Sequence, residues 1–125
     1  MFVLPHERTD ELVREAKSLT YEHYCEFALV EIEDGRRVLL HGGAFEIELI
    51  RTVEGDSHGR PPDQLFYRHG GDEVRLTRLI FHTHPKATGP SDGDCEVLRL
   101  LGQSQSMLYE LFGDLDGTRF RPKGR

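Results

Sequence analysis

Two histidines one residue apart, then a Gly-Pro loop, a serine and an aspartate stand in the stretch RLIFHTHPKATGPSDGD, residues 78–94. Imidazole nitrogens and carboxylate oxygens are ligands for zinc. Three such ligands leave a fourth tetrahedral position for water, which is the arrangement of a catalytic rather than a closed structural site. His82, His84 and Asp94 are the candidate ligands, and the chemistry they suggest is activation of water.

That chemistry depends on the elements that carry the residues. Alternate side chains of a strand share a face, so Ile80, His82 and His84 are expected on one side and Leu79, Phe81 and Thr83 on the other. Pro85 has no backbone N–H and ends the strand. With Ser91 as N-cap, Asp94 falls in the first turn of a helix, on the same face as Val97, Leu98 and Leu101. A carboxylate aimed at an apolar core needs compensation, and a metal ion provides it.

Activated water also needs a base that takes its proton and passes it to the leaving amine. Glu26 opens the run EFALVEI, whose alternate residues Ala28, Val30 and Ile32 are small or apolar, so it is the odd carboxylate on a core-facing side. Glu22 is an alternative if the strand starts earlier. Glu31 and Glu33 read as the outer face or turn of a hairpin. Ser91 is placed to donate its hydroxyl to the oxyanion of a tetrahedral intermediate, because a cap uses only a lone pair of its oxygen.

Further out, Leu12, Val13, Ala16 and Leu19 mark a helix over 9–19, with Thr9 as cap and Asp10 and Glu11 at its positive end. EDGRR between two apolar runs predicts a hairpin of Glu26–Ile32 with Arg37–Leu40. AFEIELIRTV predicts another strand, 54–64 a polar loop bordering the cleft, and 73–84 the strand that ends in the histidines. The helix after Ser91 stops at Gly102, and SMLYELF with TRFR forms a last hairpin. His-Gly-Gly occurs at 41–43 and 69–71 and reads as turns. The expected fold class is α/β (α+β): one domain, 1–125, with a mixed sheet covered by helices.

The chain has a formal net charge of -6, which argues against a nucleic-acid partner. The basic C-terminal run reads as a solvated end. No apolar run approaches the roughly 20 residues of a membrane span. No secretory signal is evident, so cytoplasm is the expected location, with a domain of a larger exported protein as the alternative. Cys25 and Cys95 form neither a zinc-ribbon spacing nor a disulfide framework and are expected to be buried as small apolar residues. His6, His23, His41, His58 and His69 are expected at the surface or in structural roles.

An upstream Glu, His-x-His-Pro at a strand end and Ser-x-x-Asp at a helix start resemble the JAB/MPN/JAMM metalloproteases, and the length and C-terminal segment are similar to short bacterial JAB domains, including those of polymorphic toxin systems. The resemblance implies a mixed, curved sheet between helices, similar to the cytidine deaminase fold. It also implies Zn2+ held by His82, His84 and Asp94, Glu26 as base and Ser91 as oxyanion donor. The substrate class it implies is a peptide or protein, with conjugates of ubiquitin-like proteins among the candidates. Two features depart from the family pattern. Nine residues, Pro85–Gly93, separate His84 from Asp94 where the family has ten, and Phe27 and Ala28 follow the Glu where small glycines are common. The alternative function is a noncatalytic MPN-like binding scaffold, which has little reason to retain all of His82, His84, Ser91 and Asp94. A DNA-associated member of the same superfamily is disfavoured by the acidic charge.

Overall fold

The computed structural model describes residues 2–3, 9–43, 47–69, 71–86, 89–111 and 117–122. A short strand β1 (Phe2–Val3) precedes helix α1 (Thr9–His23), which includes Thr9 as its first residue and extends one turn past Leu19. The extra turn is anchored by Thr20, which is fully buried and shares a 2.6 Å hydrogen bond with Thr83. The expected hairpin forms from β2 (Phe27–Ile32) and β3 (Arg37–His41), whereas of the described residues in AFEIELIRTV only β4 (Ile50–Arg51) is strand, 47–49 and 52–53 being irregular. Residues 44–46 lie outside the described set. Next come β5 (Leu65–His69), β6 (Asp72–His84), α2 (Asp92–Leu101) and a final antiparallel pair, β7 (Ser106–Glu110) and β8 (Thr118–Phe120).

Among the described residues the strands form one sheet, ordered β1-β3-β2-β6-β5-β4, in which β6 is central. Along one edge β6 pairs with β2. Along the other its first four residues pair antiparallel with β5 and its last four pair parallel with β7. The result is a mixed sheet with one helix on each face. Leu12, Val13 and Ala16 of α1 pack with Phe27, Leu29, Leu39, Phe81 and Tyr109. Leu98 of α2 packs on the other face with Ala28, Val30, Ile32, Leu76, Leu79 and Leu108.

The facing of β6 differs from simple alternation. Leu79 packs on the α2 side and Ile80 on the α1 side, the reverse of what counting back from His82 predicts. The reason is a pair of register shifts against β2. Ala28 faces His82, Val30 faces Leu79 and Ile32 faces Leu76, so steps of three on β6 match steps of two on β2. Each extra residue is a β-bulge, which bends the strand and frees local backbone groups. Gln103, from the connection after α2, and Ser106, the first residue of β7, take up those groups at one bulge. The Gln103 side chain accepts from Leu79 N (2.9 Å) and donates to Leu79 O (2.6 Å), while Ser106 Oγ donates to Leu79 O (2.9 Å). At the other bulge Thr77 Oγ1 donates to Glu31 O (3.1 Å).

Strand β5 is absent from the sequence reading. Its Leu65 and Phe66 are buried, and it pairs antiparallel with the start of β6, His69 opposite Asp72. The polar loop 54–64 is present but does not border the cleft described below. It is drawn to the start of β6 by Arg60, which pairs with Asp56 and Glu73. No helix among the described residues is long and apolar enough to cross a membrane.

Candidate metal centre and cleft

The C-terminal end of β6 presents His82 and His84 on the α2 side, with their rings 4.9 Å apart. Thr83, between them, points to the other face, where its hydroxyl bonds Thr20 and accepts from Phe27 N (3.1 Å). This buried lock ties α1, β2 and β6 together directly behind the imidazoles.

Helix α2 brings in the carboxylate. Ser91 is its N-cap: Ser91 Oγ accepts from Asp94 N (3.1 Å), and Ser91 N donates to Asp94 Oδ2 (2.8 Å). This reciprocal pair is a capping box, and it fixes both the helix start and the Asp94 side chain. The other end stops at Gly102, whose φ of 67° is the left-handed conformation that a glycine adopts without a Cβ clash. Asp94 Oδ2 lies 3.1 Å from His82 Nε2 and 3.4 Å from His84 Nε2. The nine-residue connection therefore still closes the site.

Glu26 immediately precedes β2 and is 6% exposed. Its backbone continues the β2–β3 ladder through Gly42 and Gly43: Glu26 N donates to Gly43 O and Gly42 N donates to Glu26 O, both at 2.8 Å. The first His-Gly-Gly thus holds Glu26 in extended register instead of making only a turn. Glu26 Oε1 lies 3.6 Å from His84 Nε2. Of the alternatives, Glu22 is exposed on α1, Glu33 is exposed in the hairpin turn, and Glu31 is half-buried further along β2.

One ligand atom each from His82, His84 and Asp94 lies within 4.8 Å of the others, so the cluster could hold a metal ion. Two observations fit that occupant. Both ring nitrogens of His82 are buried with no hydrogen-bond partner among the described residues. Its Nε2 is near Asp94 but misaligned for a hydrogen bond, and a buried polar atom left in that state is costly unless something else engages it. The donor set of imidazole and carboxylate also suits a first-row divalent cation. The carboxylates also set the electrostatics of the cluster. Burial pushes the Asp94 carboxyl upward, but contacts with His82 and His84 and the Ser91 N–H outweigh it and hold the group well below the usual carboxylate range. Burial likewise lowers His84, but Asp94, Glu26 and Glu110 outweigh it and raise the imidazole above its ordinary value.

From this centre a cleft of about 580 Å³ runs between the sheet and α2. Glu26, His82, Ser91 and Asp94 line one part, and Val30, Leu65, Leu79, Val97 and Leu100 make much of the rest apolar. Ser91 is exposed, and its Oγ is engaged as an acceptor. Cys25 and Cys95 are free thiols and half-buried. Cys25 packs on the α1 side, away from the centre, and Cys95 packs on the α2 side. Gln103, Ser106 and the Gly42–Gly43 backbone are supporting groups that the sequence reading did not identify. No short motif marks them, because their partners are main-chain atoms of distant elements.

Comparison with known families, curated proteins and solved structures yields no match.

Proposed function

We propose that this chain is a zinc-dependent hydrolase of peptide or isopeptide bonds, with a JAB/MPN-type fold. The observation that carries the proposal is the convergence of His82, His84 and Asp94 from two elements, with the buried carboxylate of Glu26 within 3.6 Å of His84. A metal cluster alone would suit a structural site. A carboxylate beside it, at the end of an open cleft, suits hydrolysis.

His82, His84 and Asp94 would hold the zinc, which when bound supplies Lewis acidity and an activated water. Glu26 is the general base. Its carboxylate takes the proton from water as the oxygen attacks the scissile carbonyl, then gives that proton to the departing amine. Its burial beside His84 keeps it at the reacting end of the cleft and away from bulk water. Ser91 accepts from Asp94 N through a lone pair, so its O–H proton is available to a developing oxyanion. The apolar stretch of the cleft excludes water and receives the substrate chain.

The test couples metal content with turnover. The wild-type chain should carry about one zinc per molecule and cleave members of a peptide and isopeptide library in a chelator-sensitive way. Glu26→Gln should keep its zinc and lose turnover by about a hundred- to ten-thousand-fold. Full activity in that variant would remove Glu26 from the mechanism. Metal binding without turnover of any library member would favour the noncatalytic scaffold.

A further inference from the structure

A third carboxylate stands beside the centre and has no part in the scheme above. Strand β7 runs parallel to β6 with Leu108 opposite His82 and Glu110 opposite His84, and Leu111 N donates to His84 O (3.0 Å). Leu108 packs on the α2 side whereas Met107 and Tyr109 pack on the α1 side, so by strand alternation Glu110 faces the same way as the two histidines. Glu110 does not line the cleft.

Its condition is unusual. Glu110 Oε2 is buried and has no hydrogen-bond partner among the described residues. A carboxylate oxygen in that state costs stability unless a nearby positive charge compensates it. Asp94 and Glu26 approach His84 Nε2 at 3.4 and 3.6 Å, and Glu110 is the residue opposite His84 on the neighbouring strand, on the same face. Negative charge therefore surrounds a pair of imidazoles that are neutral when they bind metal, and a divalent cation would offset it.

We propose that Glu110 is a positioning residue of the metal centre, an outer carboxylate that acts through His84 and strengthens its hold on a divalent cation. The inference rests on the reading of His82, His84 and Asp94 as metal ligands. Carboxylates next to ligating histidines raise ligand basicity and fix ring orientation, and their removal weakens metal affinity about 10- to 100-fold.

The experiment measures zinc affinity of the full chain by competition with a chromophoric chelator, and the visible spectrum of the cobalt-substituted chain. Wild type is compared with Glu110→Gln, Glu110→Asp and, as a remote carboxylate control at the other end of β6, Glu73→Gln. Glu110→Gln should bind zinc about 10- to 100-fold more weakly, with a cobalt spectrum that still reports the same ligands. Its metal-free form, compared at alkaline pH where His84 is neutral, should melt no earlier than wild type, because the Oε2 that is buried without a hydrogen-bond partner no longer carries charge. Glu110→Asp should recover most of the affinity, and the control should leave it unchanged. A purely structural role for Glu110 predicts the opposite pattern, with earlier melting and unchanged affinity, and would overturn the inference. Wild-type affinity in Glu110→Gln would overturn it while leaving the metal reading intact. No zinc or cobalt binding by wild type would overturn both.

Discussion

The two ends of β6 carry charged clusters of opposite character. At its start, Glu73 meets Arg60 and Arg68, both at 2.6 Å, Arg60 also meets Asp56 at 3.0 Å, and the Arg60 guanidinium lies 4.3 Å over the Phe66 ring. Each charge there has an opposite partner. The Arg60 side-chain hydrogen bonds draw the Asp56 carboxyl down to about 2. At the other end, Glu26, Asp94 and Glu110 crowd His82 and His84, and buried atoms of His82 and Glu110 remain without hydrogen-bond partners among the described residues. The first cluster is electrostatically complete and holds a loop. The second could be completed by a cation, and that contrast separates a structural ion-pair network from a candidate functional site.

The largest test of this contrast is Asp94→Asn. Asparagine keeps much of the capping geometry but removes the charge, so the helix should remain while zinc content and hydrolysis both fall to background. Elemental analysis and circular dichroism on one preparation would separate the two roles, and retention of zinc would remove Asp94 from the ligand set.

Next in size is Gln103→Ala, which strips the Leu79 bulge of its amide partners. Leaving such backbone groups unsatisfied costs about 1–3 kcal/mol, read as a lower urea midpoint. Zinc affinity should fall with it, because the bulge sets the facing of His82. An unchanged midpoint would mean that the bulge holds itself.

A subtler effect concerns pH. In the metal-free chain His84 is raised above its ordinary value of 6.5, despite its burial, by Asp94, Glu26 and Glu110. A raised folded-state value contributes stability that is full below the unfolded value and is lost as pH rises through the folded one. Metal-free protein should therefore lose melting temperature as pH rises above about 6.5. Zinc-loaded protein should gain over the same range, since deprotonated imidazoles bind metal better. Slopes of the same sign with and without zinc would contradict this.

The smallest effect is expected at the completed cluster. Glu73→Gln should shift the urea midpoint less than Gln103→Ala, leave zinc binding untouched, and lose its effect in high salt, where exposed pairs are screened. A change in zinc affinity there would show the two ends of β6 to be coupled.

Much of the site is readable in the chain because its signals are local. His-x-His-Pro marks a strand end, and Ser91 with Asp94 writes a capping box whose bonds span three residues. Gly102 marks the helix end through its own backbone preference. Glu26 is readable as an acidic residue in an apolar alternation. Strand β5 is harder to read, since LFYRH is too short to show a period and its pairing with β6 is what stabilises it.

The sequence by itself therefore determined the candidate ligand types, the helix that carries Asp94 and the hairpin that carries Glu26, because capping, turn chemistry and side-chain period act over a few residues. Only the tertiary structure decided which face of β6 each residue takes, through bulges that match Leu76, Leu79 and His82 to Ile32, Val30 and Ala28. It also decided that Gln103 supports a bulge and that Glu110 stands beside His84. Those relations depend on hydrogen-bond register between strands far apart in the chain, and no local preference encodes register.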